Sequence, residues 1–169
     1  LPIYKGYGNS TTIPVDVTTS SQASLVLLAL AETVGSRLRK DGKKAEVLSV
    51  SVKDYLFRTS SHQCRLPAPT NITEELHRHA CGLFLELWDG CPVRHLGIHT
   101  GRIRDWDAMR QMELFDTRDY GKLERLDRAV DTIRRRYGMD AVKRAVFLDS
   151  PIDHMSGGIS REKRYRCDH

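Results

Sequence analysis

Long hydrophobic runs and paired cysteines are both missing from this chain of 169 residues. The longest apolar run, Leu25 to Ala31, is far shorter than the roughly 20 residues that a membrane-spanning helix needs. No signal peptide opens the sequence. The four cysteines form no Cys-x-x-Cys pair, which argues against a zinc ribbon or a disulfide scaffold. We therefore expect a soluble intracellular protein with reduced thiols and no membrane partner.

Catalytic motifs are scarce as well. The sequence has no P-loop, no Gly-x-Ser-x-Gly nucleophile elbow and no nucleophile placed beside a base. His77 and Cys81 have the spacing of two metal ligands on one helix face, but no second cluster completes a site, so a surface histidine beside a core cysteine is favoured. Asp105 and Asp107 have no rigid strand to hold a metal and are expected to be solvated. The chain on its own is predicted to be non-catalytic, with no metal and no cofactor.

The composition that remains is that of an ordinary folded domain. Hydrophobic residues make up 40% and charged residues 29% of the chain, which excludes wholesale disorder. The length admits one domain and an appendage, but not two large domains. The net charge of +5 suits a polyanionic partner without requiring one. Because the chain begins at leucine rather than methionine, we expect it to be a segment of a longer polypeptide.

Hydrophobic periodicity predicts helices and strands in a definite order. Apolar stripes that start at Leu27 and Leu76 predict one helix over 24–40, stopped by Gly42, and a second that follows a capping box at Asn71 and Glu74. The first helix is expected to be capped by Ser20 or Ser21. Strands are predicted over 4–15, 44–53, 55–66 and 93–100. A third helical stripe starts at 123 and is expected to continue through 141–148.

This order is strand, helix, strand, strand, helix, strand, the split βαβ arrangement of ferredoxin-like domains. It predicts an α+β fold in which a four-stranded antiparallel sheet carries two helices on one face and leaves the other face open. The predicted boundaries are a domain over 1–104, a linker over 105–119, a helical appendage over 120–149 and a flexible tail over 150–169.

The open face is predicted to be polar, with hydroxyl and basic side chains where a second layer would require apolar ones. Between residues 43 and 65 five basic residues accompany two acidic ones. Hydroxyls, cations and loop amides are the groups that bind phosphate oxygens. The candidate DNA-binding residues are Ser49, Ser51, Lys53, Arg58, Thr59, Ser61 and Arg65 on the strands, with Asn9, Ser10 and Thr11 in a loop.

Three other interpretations of this face remain open. It fits an ordinary solvated sheet surface equally well from the pattern alone. An RNA-recognition module has the same element order, but it stacks bases on aromatic residues of its central strands, where hydroxyls are found here. A protein-interaction adaptor would not touch nucleic acid at all. We favour sequence-independent contact with the backbone of a duplex.

Several motifs resemble a known family, the carboxy-terminal region of Y-family translesion DNA polymerases of the bacterial DNA polymerase IV type. The segment Lys5 to Thr12 is similar to the entry into the family's little finger domain. Phe57-Arg58-Thr59 resembles a Phe-Arg-Thr strand, and Pro92 to Gly97 resembles a closing Pro-Val-Arg-x-Leu-Gly segment. The resemblance extends from about Lys5 to about Leu148.

A second motif lies just beyond the domain. Gln111, Met112, Leu114 and Phe115 resemble the bacterial sliding-clamp motif Gln-Leu-Ser/Asp-Leu-Phe, with Met112 in place of leucine. A short peptide of this kind offers an amide and apolar anchors to a pocket. The alternative is that Leu114 and Phe115 pack against the domain.

The resemblance implies a DNA-binding part of an error-prone polymerase. Its expected partners are double-stranded primer-template DNA and the sliding clamp, the β subunit of the replicative polymerase. It implies that the nucleotidyltransferase carboxylates and their Mg²⁺ ions lie in a palm that is absent from this chain. It further implies a monomer in the bacterial cytoplasm that serves translesion repair of damaged DNA in the SOS response.

Overall fold

The computed structural model describes residues 6–110 and 114–155. The predictions for Lys5, Gln111 and Met112, and for the tail beyond 155, lie outside the described residues. The strands are β1 (Gly6–Val17), β2 (Lys43–Asp54), β3 (Thr59–Thr70) and β4 (Val93–Asp105), and the helices are α1 (Ser20–Lys40), α2 (Thr73–Leu87) and α3 (Tyr120–Tyr137), followed by a 3₁₀ turn at Ala145–Phe147. Within the described ranges, no helix is both long and apolar enough to cross a membrane.

The sheet has the strand order β1-β4-β2-β3, and all neighbouring strands are antiparallel. β2 and β4 are therefore the central strands, and β1 and β3 are the edges. The connections through α1 and α2 each cross one intervening strand, and the two helices pack against each other on the same face. The predicted α+β fold, with helices on one face of a four-stranded antiparallel sheet, is confirmed.

The hydrophobic core lies between this sheet and the two helices. Strand β2 alternates as predicted, with Leu48, Val50 and Val52 buried and the residues between them half-buried. Apolar side chains of all four strands and of α1 and α2 pack together in one buried cluster. The largest fully buried aliphatic side chains are Leu27, Leu30, Leu38, Leu48, Leu76, Leu96 and Ile98.

The start of each helix differs from the prediction. The α1 N-cap is Thr19, whose hydroxyl accepts a hydrogen bond from the Gln22 amide, rather than Ser20 or Ser21. The N-cap residue of α2, Ile72, has no side chain that can cap the helix, and the Thr73 amide donates instead to the Asp127 carboxylate of α3 at 2.9 Å. The predicted capping box is wrong because the Asn71 amide instead donates to the Lys43 carbonyl at 3.0 Å and joins α2 to the sheet. The predicted stop at Gly42 is confirmed by its φ of +64°.

Strand β3 begins four residues later than predicted, because residues 55–58 form the turn after β2. The Asp54 carboxylate organises this turn by accepting hydrogen bonds from the amides of Leu56 at 2.9 Å and Arg58 at 3.0 Å. Phe57 adopts a φ of +63°, a left-handed conformation that bulky residues rarely adopt. The Phe57-Arg58-Thr59 segment is therefore mostly turn rather than strand.

Helix α3 packs on α1, on the helical side of the domain, so residues 114–155 of the extension do not cover the open sheet face. The expected helix over 141–148 is reduced to a 3₁₀ turn. Residues 150–155 are not the flexible start of a tail, since His154 is buried and hydrogen-bonds Asp140 at 2.9 Å. The extension is therefore a packed part of the molecule up to residue 155.

Candidate nucleic-acid interface

The sheet face opposite the helices is a grid of four transverse rows, which we call the open face. Residues that pair directly across antiparallel strands point to the same side of a sheet, so the strand registers define each row. Taken in the order β1, β4, β2, β3, the rows are Thr12-His95-Lys53-Thr59, Ser10-Gly97-Ser51-Ser61, Gly8-His99-Ser49-Gln63 and Gly6-Gly101-Val47-Arg65.

Most of the predicted DNA-binding residues lie in this grid. On β2 and β3 the structure brings together the hydroxyls of four residues with two cationic side chains. Those on β3 are exposed, and those on central β2 are half-buried by their neighbours. The predicted residues found here are Ser10, Ser49, Ser51, Lys53, Thr59, Ser61 and Arg65.

Asn9 and Thr11 do not belong to the open face. They pair with Ile98 and Leu96, which are buried in the core, so their side chains point to the helical side. The expected loop is part of β1, in agreement with the strand predicted over 4–15, although its Gly, Ser and Thr residues are typical of turns. Because β1 is an edge strand, alternate backbone groups along its outer edge have no partner strand. One of them, the Gly8 carbonyl, accepts a hydrogen bond from Arg37 at 3.2 Å.

Arg58 is also placed differently from the prediction. Its Nε donates to the Asp54 carboxylate at 2.7 Å, and Nη2 lies 3.9 Å from the Cys91 sulfur, beyond the end of the rows. The hydrogen bond to Asp54 raises the pKa of Arg58. Arg58 therefore stabilises the turn, and its charge is partly neutralised there.

Two histidines of the open face, His95 and His99, were not among the predicted DNA-binding residues. His95 Nδ1 is hydrogen-bonded to Thr12 Oγ1 at 3.1 Å, and its pKa is lowered by burial and by the nearby Lys53 ammonium. The His99 ring covers Gly8, where an added Cβ would lie 2.5 Å from Nδ1. The alternation of β4, which sets both histidines opposite buried Leu96 and Ile98, is the signal that could have found them.

The centre of the open face is flat. A Cβ built on Gly97 would lie 2.6 Å from Ser51 Oγ, closer than real Cβ atoms approach, and 3.1 Å from Ser10 Cβ, tighter than most real contacts. The glycine therefore lets the hydroxyls of β1 and β2 come together across β4. No side chain of β4 therefore rises in the Gly97 row, whereas the His99 ring occupies the next row.

The Arg65 end of the sheet is basic. Arg104 forms a hydrogen-bonded ion pair with Glu46 at 3.0 Å, and this bond is the main reason that the pKa of Glu46 is lowered. Arg65 and Arg102 lower the same pKa further through their charges. One carboxylate thus faces three guanidinium groups, which leaves a positive surface at this end.

Leu114 and Phe115 lie far from the open face and do not pack against the domain. Their side chains are 93% and 91% exposed, which excludes the alternative that they tuck into the surface. Both flanks of this segment are anchored. Arg110 binds the Glu75 carboxylate at 2.8 and 2.6 Å and lies over the Tyr120 ring at 3.7 Å.

Neither candidate metal pair is assembled into a site. His77 Nε2 lies 3.3 Å from Cys81 Sγ and 3.1 Å from Ser24 Oγ, so the three groups bond one another. Asp105 ends β4, not the linker, and binds Lys43 Nζ at 2.6 Å. Among the residues that the structure describes, no three His, Cys, Asp or Glu side chains are grouped to hold a metal ion.

Comparison with curated proteins identifies close relatives of the sequence. The chain is 36% identical to DNA polymerase IV of Acetivibrio thermocellus over 150 residues, which cover 88% of this chain and 37% of the relative. It is 35% identical to DNA polymerase IV 2 of Bacillus subtilis over 148 residues, which cover 85% of this chain and 35% of that protein. The chain thus spans about a third of the length of these relatives.

A solved structure shares the fold. It is titled as a complex of the beta-clamp processivity factor and the little finger domain of PolIV, and it matches with a TM-score of 0.50 and 22% identity over 66% of this chain and 99% of that one. Residues 4–114 match the C-terminal domain of the impB/mucB/samB family. The chain therefore belongs to this family and contains the little finger domain of a Y-family polymerase of the DNA polymerase IV type.

Proposed function

We propose that the open face binds the sugar-phosphate backbone of double-stranded primer-template DNA. The observation that carries the proposal is a polar sheet face that the described part of the extension leaves uncovered, with hydroxyl donors between a lysine at one end and arginines at the other. The four rows contain no Phe, Tyr or Trp on which a base would stack, and of their two imidazole rings His95 is hydrogen-bonded to Thr12 and His99 lies over Gly8. Contact with phosphates, independent of sequence, matches this chemistry.

The decisive experiment measures duplex affinity by fluorescence polarisation across a range of salt concentrations. We expect Lys53→Gln and Arg65→Gln to weaken binding equally for duplexes of different sequence. Each variant should reduce the slope of log affinity against log salt by about 0.9, the value for one phosphate contact in B-DNA. Lys122→Gln, an exposed cation on α3 outside the open face, is the matched control.

Each possible result of this experiment points to one function. A preference for single strands that depends on base identity would instead support an RNA-recognition-like module. Absence of binding to any nucleic acid would support a protein-interaction adaptor. An unchanged affinity and salt slope in both open-face variants would overturn the proposed interface.

We also propose that residues 111–115 bind the sliding clamp. The supporting observation is the nearly complete exposure of Leu114 and Phe115 on a segment anchored at both flanks. Each buried anchor contributes about 1.5–3 kcal/mol, so Leu114→Ala/Phe115→Ala should lower clamp affinity about 100-fold or more in a capture assay. Met109→Ala, equally exposed but outside the motif, is the control. Undiminished capture of the double variant would refute this proposal.

The activity proposed for the longer protein follows from its relatives. We propose that it is a nucleotidyltransferase that copies damaged DNA, with its carboxylates and Mg²⁺ in a part of the protein outside this chain. We further propose that it is a cytoplasmic monomer of the SOS response. Primer extension past a lesion by the full-length protein, with and without Mg²⁺, tests the catalytic part of this proposal.

A further inference from the structure

A groove separates β1 and the C-terminal half of α1 from α3 and residues 151–155. Its volume is about 1240 Å³. We call it the α1–α3 groove. It exists because α3 docks on α1 through buried ion pairs, in which Arg39 binds Asp131 at 2.6 Å and Arg134 binds Glu32 at 2.8 Å. These pairs form the floor and hold the two walls apart.

The exposed charges of the groove are mainly positive. Six basic side chains but only two acidic ones, Asp131 and Asp153, line it. Arg39 and Arg134 are used in the buried pairs, and Arg128 is paired with Glu124 at 3.1 Å. Arg37, Lys40 and Arg135 are exposed, and no carboxylate of the described residues lies within ion-pair distance of them. Three cations thus face solvent along both walls.

The groove also offers hydroxyls and one aromatic ring. Ser36 and Thr132 lie on opposite walls, and the Trp106 side chain is 58% exposed with the Arg128 guanidinium 5.9 Å from its ring centre. An exposed ring beside a cationic track is the arrangement by which proteins bind single-stranded nucleic acid, because bases stack while cations follow the phosphates. The open face has two imidazole rings but no Phe, Tyr or Trp, so the groove offers a base the larger stacking surface.

The groove is continuous with the open face. Ser10 and Thr12 are the β1 members of two open-face rows, and both also line the groove. A nucleic-acid strand that left the open face across the outer edge of β1 would therefore enter the groove directly.

We propose that the α1–α3 groove binds a single DNA strand that continues from the duplex held on the open face. The proposal rests on the proposed function for the placement of the duplex. It assigns the extension a role in binding the unpaired strand, with Arg37, Lys40 and Arg135 contacting phosphates and Trp106 stacking on a base.

The experiment compares a blunt DNA hairpin with two hairpins, one with a 5′ and one with a 3′ single-stranded overhang of about eight nucleotides. This length is within the range of single-strand site sizes. The full chain should bind one of the overhang hairpins about tenfold more tightly than the blunt one. Arg37→Gln/Lys40→Gln/Arg135→Gln should abolish this gain and leave blunt-hairpin affinity unchanged. Its salt slope on the overhang hairpin should fall by about 2, since each single-strand phosphate contributes about 0.7.

A triple variant of equal charge, Lys122→Gln/Arg125→Gln/Arg136→Gln, removes exposed cations outside the groove lining and should keep the gain. Trp106 fluorescence gives an independent readout. The overhang should quench it, whereas Trp88, stacked on Phe84, should not respond, so Trp106→Phe should remove the quenching. Thermal unfolding of each variant checks that the fold is retained.

No gain from either overhang, or an equal loss of the gain in the control triple variant, would overturn the groove proposal. Failure of the proposed function is distinguishable, because it is measured on the blunt hairpin. If Lys53→Gln leaves blunt-hairpin affinity unchanged while the groove variant still loses the overhang gain, the proposal for the open face is excluded and the proposal for the groove is supported. If blunt binding depends on Lys53 and overhangs add nothing, only the groove is excluded.

Discussion

The flatness of the open face depends on single residues at its centre. Gly97 lies on central strand β4 between Ser10 and Ser51, and its neighbours occupy the space where a side chain would begin. The phosphates of a duplex can reach hydroxyls on both sides only if β4 does not rise between them. A glycine at this position is thus required by packing against its neighbours rather than by an unusual φ.

Gly97→Ala tests this requirement against a matched glycine. The added methyl group would lie 2.6 Å from Ser51 Oγ, so we expect a loss of about 1–3 kcal/mol in the free energy of unfolding and weaker duplex binding. Gly101→Ala, on the same strand and face, meets only Val47 Cβ at 3.9 Å and should change neither quantity. Urea unfolding and polarisation measure the two effects. Equal unfolding free energies and duplex affinities of the two variants would show that the crowding at Gly97 affects neither stability nor binding.

At the scale of elements, buried ion pairs attach α3 to the domain. Glu32 on α1 accepts hydrogen bonds from Arg134 at 2.8 Å and from Arg144 at 2.5 Å. Burial alone would raise the pKa of Glu32, but the two guanidinium groups outweigh it and hold the pKa below its usual value of 4.5. The carboxylate is therefore more stable as an anion in the folded protein than in the unfolded one.

Glu32→Gln should destabilise the protein by about 3 kcal/mol at neutral pH, because Arg134 is left buried without its counter-charge. A lowered pKa in the folded state means that the ion pair stabilises fully above about pH 4.5 and loses its effect as the pH falls through the folded-state value. The difference in unfolding free energy between wild type and variant should therefore shrink on acidification.

Urea unfolding of both proteins from pH 7 to pH 3 measures this difference. The pKa of Asp127, which burial raises, acts with the opposite sign, and only the smaller part of this shift that comes from the Glu32 charge differs between the two proteins. A difference that stayed constant with pH would mean that the Glu32 ion pairs do not stabilise the docking of α3.

The sequence was informative about elements whose pattern is local and periodic. The alternation of β2 predicted both its buried and its polar side, and the stripes of α1 and α2 predicted the helical layer. The sequence pattern was misleading where contacts with residues outside the local segment determine the structure. Asn71 joins the sheet instead of capping α2, and Asp54 holds Arg58 in a turn. These choices depend on partners that the local pattern does not contain.

The docking of the extension was not predicted for a related reason. Glu32 and Arg39 occur in a helix whose apolar stripe already accounts for its burial, and their partners are about 90 or more residues away. An ion pair between distant charges has no periodic signal in a single sequence. The α1–α3 groove, which depends on those pairs, was consequently not visible before the fold was known.

At the scale of the whole molecule, the open face and the exposed Leu114–Phe115 segment occupy different parts of one short chain. The extension packs against the helices, so nothing in the described ranges covers the open face. Simultaneous contact with DNA and with a clamp encircling it would turn the second binding event into an intramolecular one. Weak phosphate contacts, each sensitive to salt, would then suffice to keep the protein at a primer end.

This coupling predicts a specific difference between two substrates. The chain should bind primed DNA carrying a loaded clamp about 10² to 10⁴ times more tightly than the same DNA alone. Leu114→Ala/Phe115→Ala should bind both substrates with the affinity of the wild type for bare DNA, because it loses the tether but keeps the open face. Met109→Ala should retain the full advantage. Polarisation with labelled chain on loaded and bare DNA measures both affinities, and a double variant that still preferred loaded DNA would show that the clamp is held through another surface.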